Sequence, residues 1–96
     1  MDKIKFRKYN NKYFYRWYVY INGIRHKSYA IYFSKSYEVV NFSIFSIIFY
    51  DTKHYKRGLV LYDYKNLREA KRRILEILYH PSVQMEVSNY FYQNSL

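Results

Sequence analysis

The residues that could do chemistry fall into two groups. The first is Asp51, His54, Tyr55, Lys56 and Arg57, an acid and a base at Asp-x-x-His spacing beside a phenol and two cations. Such a set could move a proton and hold a phosphate during phosphodiester cleavage. Asp-x-x-His is a common tetrapeptide, however, and a solvated loop tip accounts for the same residues. The second group is larger. Arg16, Arg25 and Lys27 interleave with Tyr18, Tyr20 and Tyr29, and Lys3, Lys5 and Arg7 precede them. Cations alternating with rings can hold a phosphate backbone and stack on bases or sugars. The competing reading is a set of solvated cross-strand pairs, each worth about 0.2–1 kcal/mol.

Other chemistry finds little support. The chain has no Cys, which removes thiolate catalysis, disulfides and Cys-based zinc sites. His26, His54 and His80 lack metal-ligand spacing, and His26 reads as a structural histidine on a core face. The seven carboxylates are too few and scattered for paired acid–base work or Mg²⁺ binding. Gly23 and Gly58 cannot make a glycine-rich phosphate loop. None of the 15 tyrosines has a context that nominates it as a nucleophile. No enzyme, cofactor or metal is expected.

Ninety-six residues make one small domain. The formal net charge of +10 favours a polyanionic partner. It is unevenly spread: residues 1–35 hold nine basic residues against one acidic, residues 36–52 hold only Glu38 and Asp51, and residues 53–80 hold eight basic against three acidic. Two basic lobes thus flank an apolar middle. The most hydrophobic run, Val39–Tyr50, is interrupted by Asn41, Ser43 and Ser46. A bilayer span needs roughly 20 apolar residues, so this run is core and no membrane span is expected. The first residues lack the apolar region of a secretory signal. A cytoplasmic protein is the expectation.

Positioning the second group requires strands. IKFRKY, Asn10-Asn11, KYFYRWYVYI, Asn22-Gly23 and IRHKSYAIYF read as strand, turn, strand, turn, strand. Asn-Gly between alternating apolar residues is the strongest short hairpin signal, because a type I′ turn needs positive φ twice. Ser36 to Ser43 looks like a helix start, with Ser36 as N-cap and Glu38 in the first turn. Ile44 to Tyr50 could continue that helix or form a strand. Thr52–Gly58 is a loop, Leu59–Tyr64 a strand, and Asn66 to His80 an amphipathic helix. Asn66 caps this helix with Glu69 as its reciprocal partner, Pro81 ends it, and Leu67, Ala70, Ile74, Ile77 and Leu78 form its buried stripe. Arg68, Lys71 and Arg72 fall on the outer side as a second basic stripe, and Glu69 and Arg73 make an i,i+4 pair. The tail places Val83, Val87, Tyr90 and Phe91 at helical spacing.

At an offset of 30 residues, Tyr32–Ile48 lies over Tyr62–Leu78 with four identities in 17 columns. That raises two strand–strand–helix units, 12–44 and 45–80, followed by the tail 81–96. The fold class expected is α+β, an antiparallel sheet of N-terminal hairpins packed on helices.

A two-residue turn at Asn22-Gly23 sets Val19 against His26, Trp17 against Ser28 and Tyr15 against Ala30 as the core face. A second such turn at Asn10-Asn11 would add Ile4 beside Trp17 and Phe6 beside Tyr15. The opposite face then carries Tyr20 against Arg25, Tyr18 against Lys27 and Arg16 against Tyr29, with Lys3, Lys5 and Arg7 alongside. Lys5 would oppose Arg16, a destabilising like-charge pair that a polyanion would relieve.

The stretch RWYVYINGIRHKSYAIYFSKSYEVV, Arg16 to Val40, joins an Asn-Gly hairpin to Phe33-Ser34 and then Glu38 at a helix start. It resembles the arm-type DNA-binding domains of phage integrases and is similar to plant AP2 domains. Both follow a three-stranded antiparallel sheet with a helix and lay the exposed sheet face in the major groove. The resemblance covers about a quarter of the chain, and Val39 stands where those families usually place Ala after the helix Glu. It implies that Arg16, Tyr18, Arg25, Lys27 and Tyr29 face the groove. By composition alone, rich in Tyr, Ile, Lys and Asn and free of Cys, the chain also resembles the small orphan proteins of archaeal filamentous viruses.

Together these observations predict a small basic nucleic-acid-binding protein, of viral type, that prefers DNA to RNA and uses residues 3–31. The alternative is a protein–protein interaction module, open to homodimerisation, whose aromatic groove takes a peptide. A toxin-type endoribonuclease built on His54, Tyr55, Lys56 and Arg57 ranks third.

Overall fold

In the structure, a computed structural model, Asn22 and Gly23 both take left-handed backbone, with φ of 52° and 83°. This is the type I′ hairpin turn expected of Asn-Gly. The Asn22 side chain holds it further: Oδ1 accepts from the Lys3 amide at 2.9 Å and Nδ2 donates to Asp2 at 3.0 Å. The structure describes residues 2–41, 43–50, 59–80 and 82. The elements are β1 (Ile4–Asn10), β2 (Phe14–Ile21), β3 (Ile24–Ser34), α1 (Ser36–Val39), β4 (Phe45–Phe49), β5 (Leu59–Tyr64) and α2 (Leu67–Tyr79). The five strands form one antiparallel sheet in the order β1-β2-β3-β4-β5. With α2 packed on it, the fold is α+β.

The first hairpin turns later than Asn10-Asn11. Asn11 and Phe14 close it by a backbone hydrogen bond of 3.1 Å, and Lys12-Tyr13 occupy the turn. The Asn11 side chain decides this, because Oδ1 accepts from the amides of Tyr13 (2.8 Å) and Phe14 (3.0 Å) in an Asx turn. The register moves by four residues, so faces are kept but partners change. Lys5 pairs with Tyr20, Arg7 with Tyr18 and Tyr9 with Arg16. The expected opposition of Lys5 and Arg16 does not exist.

The second hairpin departs more. Ile21 pairs with Ile24 and Tyr20 with Arg25 as expected, but pairing resumes only at Tyr18 with Ala30. Val19 is thus spanned by four residues of β3, His26 to Tyr29, three more than a regular ladder would use. An odd insertion exchanges the two faces of the strand. Ile31 and Phe33 now sit opposite Trp17 and Tyr15, where the unbroken register would have put Ser28 and Ala30. Burial explains the change. Ile31 is fully buried and Phe33 nearly so, whereas the regular register would have turned both side chains to the face opposite α2.

The middle segment resolves as a strand. α1 is a single turn beginning after Lys35 without a side-chain cap, and the Ser36 hydroxyl instead meets that of Ser34 at 2.7 Å. Asn41 takes positive φ (53°) just beyond it. β4 then lies between β3 and β5, and its adjacent residues Ile47 and Ile48 are both buried on opposite faces. That two-sided burial explains a continuous apolar run with no period.

Trp17, Val19, Ile31, Phe33 and Ile47 from the sheet meet Ala70, Ile74 and Ile77 from α2. Asn66 caps α2, its Oδ1 accepting from the Glu69 amide at 2.8 Å. Leu67 and Leu78 complete the expected stripe. Arg73 pairs with Glu76 at 3.0 Å instead of Glu69, and its guanidinium lies 4.8 Å from the Tyr62 ring. Among the described residues no helix is long and apolar enough to cross a membrane. Asp51, His54, Tyr55, Lys56, Arg57, Pro81 and the tail positions Val83, Val87, Tyr90 and Phe91 lie outside the described residues.

Candidate nucleic-acid interface

Alternation along β2 sends Trp17 and Val19 toward α2, and Phe14, Arg16, Tyr18 and Tyr20 to the other side. Strand pairing surrounds them with Lys5, Arg7 and Tyr9 from β1, Arg25 and Tyr32 from β3, and Ser46 from β4. Among the described residues no helix packs on this open face.

Its three arginines rest on rings. The Arg7 guanidinium lies 4.5 Å from the Tyr20 centroid, and that of Arg25 lies 4.7 Å from Tyr18. Arg16 sits among Phe14 (4.6 Å), Tyr50 (5.7 Å), Tyr18 and Tyr32 (6.0 Å each). Its Nη1 donates to the Tyr18 hydroxyl at 3.3 Å, while its Nε is buried and meets no acceptor among the described residues. A ring under a cation contributes about 0.5–1 kcal/mol when exposed and leaves the positive charge uncancelled. Among the described residues, no carboxylate forms an ion pair with Lys5, Arg7, Arg16 or Arg25. The face's one described carboxylate, Asp63, accepts from the Ser46 hydroxyl. The Tyr50 phenol is held above its ordinary pKa by burial, with Arg16 and Arg25 acting the other way.

Lys5, Arg7, Arg16, Tyr18, Tyr20 and Arg25 therefore share the face that the sequence assigned them, with exposed Lys3 at its margin. Lys27 is exposed but lies in the irregular stretch opposite Val19, so it does not pair with Tyr18. Tyr29 is a correction. The face exchange in β3 moves it to the α2 side, where it packs against the core and meets Phe49 at 5.1 Å. Burial raises its pKa. Tyr32 and Tyr50 join the face unforeseen, since placing them required the irregularity in β3 and the strand assignment of β4.

The second basic stripe is not brought together with the first. Arg68 and Arg72 are exposed on α2, in the other layer, and Arg72 reaches Glu76 at 4.0 Å. Lys71 folds over Phe6, 5.4 Å from its ring centroid. His26 stacks on Tyr29 at 5.6 Å, accepts weakly from the Ser28 amide (3.4 Å) through Nδ1, and is held below its ordinary pKa by burial. No group of three potential metal ligands occurs among the described residues.

Comparison with family models, curated proteins and solved structures finds no match for this chain.

Proposed function

We propose that the open sheet face binds nucleic acid without cleaving it, and that DNA is preferred to RNA. The observation that supports this reading is the stacking of Arg7, Arg16 and Arg25 on tyrosine and phenylalanine rings with no carboxylate paired to them among the described residues. Rings hold the guanidinium planes in place, and phosphates would supply the missing negative charge. Tyr9, 49% exposed at the edge of the same face, offers a surface on which a base or sugar can stack. The preference for DNA rests on the resemblance of Arg16–Val40 to sheet-type DNA-binding domains.

Fluorescence anisotropy with labelled single- and double-stranded DNA and RNA at two salt concentrations tests the reading. For six to ten phosphate contacts, affinity should fall roughly 10³–10⁵-fold between about 50 and 200 mM salt. Binding that is absent, or indifferent to salt, sinks the proposal and moves the search to a protein partner.

A further inference from the structure

The three extra residues that turn Ile31 inward also open a recess in the exposed face. It has a volume of about 260 Å³ and draws on Arg16, Arg25 and Lys27 for charge, on Tyr18 and Tyr50 for rings and hydroxyls, and on the small Ala30 for space. No carboxylate lines it among the described residues. His26 and Tyr29, stacked on each other, also border it. The buried Nε of Arg16 adds a donor whose acceptor is missing among the described residues.

Size and charge together select a ligand class. The recess falls just below the roughly 300–1,000 Å³ of sites that enclose drug-sized molecules, so it suits one nucleotide unit and excludes a base pair. Three cations, with no carboxylate beside them among the described residues, match a group carrying more than one negative charge. A phosphomonoester carries about −1.5 to −2 near neutral pH, whereas each phosphodiester within a strand carries one. Guanidinium groups also present paired N–H donors that fit phosphate oxygens.

We propose that this recess binds the terminal phosphomonoester of a nucleotide, at the end of a strand lying on the face. The strand-end source rests on the nucleic-acid reading above; a free mononucleotide would bring the same chemistry. The test compares one internally labelled oligonucleotide carrying a 5′-phosphate, a 3′-phosphate or hydroxyls at both ends, with thymidine 5′-monophosphate and thymidine as competitors. One phosphorylated end should bind roughly tenfold or more tighter than the hydroxyl-ended strand, the scale of a charge-assisted hydrogen bond. Lys27→Ala and Arg25→Ala should each shrink that ratio, with thermal melts confirming that both variants fold.

Equal affinity for all ends overturns the recess proposal and leaves the face reading intact. A preference unchanged in both variants places the phosphate elsewhere and also overturns it. Binding of the monophosphate, but not of thymidine or any oligonucleotide, supports the recess while removing the face reading.

Discussion

Arg16 and Trp17 are adjacent in the chain and end on opposite faces of one sheet. Trp17 is 7% exposed, packed against Phe45 at 5.7 Å and sealed by α2. Arg16 is also partly buried, but among rings on the open side and with a donor unmet among the described residues. The two faces use aromatic residues for different ends. On the α2 side rings fill volume, and Phe6 and Tyr62 also carry Lys71 and Arg73 at the rim of the core. On the open side they support cations without cancelling their charge. The cations of α2 make the contrast sharper, because Arg72 and Arg73 both reach Glu76 and are compensated within the protein. On the open face, by contrast, no carboxylate among the described residues pairs with Arg7, Arg16 or Arg25, and an external anion there is what the proposed function supplies.

The largest effect that would test this division is Trp17→Ala. Removing a buried Trp costs about 3–5 kcal/mol, a large part of what a small domain has, and denaturant titration should show it. Loss of much less would mean that the α2 side is not the core face.

Arg7→Ala with Arg25→Ala should act in the opposite way. The salt dependence of DNA binding should lose about two units of slope, one per phosphate contact. Stability should change by no more than about 1–2 kcal/mol, the sum of two exposed cation–ring contacts. The matched pair Arg68→Ala with Arg72→Ala should leave the slope unaltered, and an equal loss there would erase the distinction between the two basic regions.

Asn66→Ala tests whether α2 serves the core face alone. Loss of its bond to the Glu69 amide should lower stability by about 1 kcal/mol in the same denaturant assay, with DNA affinity unchanged.

The smallest effect concerns His26. Burial puts its folded pKa below the ordinary 6.5, so the unfolded chain takes up the proton first as pH falls. The stability this site contributes is full above about pH 6.5 and is lost as pH drops through the folded value. Melting temperature should therefore decrease on acidification from about pH 7.5 to 5.5, and His26→Phe should reduce the decrease. The Asp2 carboxyl, lowered by its bonds from Asn22 and Tyr79, acts only at more acidic pH, below its ordinary 3.8.

Local signals carried much of this protein. Asn22-Gly23 determined a turn because few residues tolerate positive φ twice in succession. Asn66 and the spacing of Leu67, Ala70, Ile74 and Ile77 determined α2 and its buried side. Alternation in β2 determined that Arg16, Tyr18 and Tyr20 share one face and Trp17 and Val19 the other.

The partners across strands were beyond local signals. A turn sets the register only near itself, and at Lys12-Tyr13 an Asx side chain chose a loop that the Asn10-Asn11 pair did not reveal. In β3 the competition was between a regular ladder and the burial of Ile31 and Phe33, and hydrophobic burial won. That outcome moved Tyr29 to the core, brought Tyr32 to the open face and opened the recess beside Lys27. Strand β4 was decided in the same way, since Ile47 and Ile48 could be buried on both sides only between β3 and β5. Side-chain alternation and backbone conformation act over a few residues and can be read along the chain. Which apolar row faces the helix depends on surfaces far apart in sequence, and only the assembled sheet decides it.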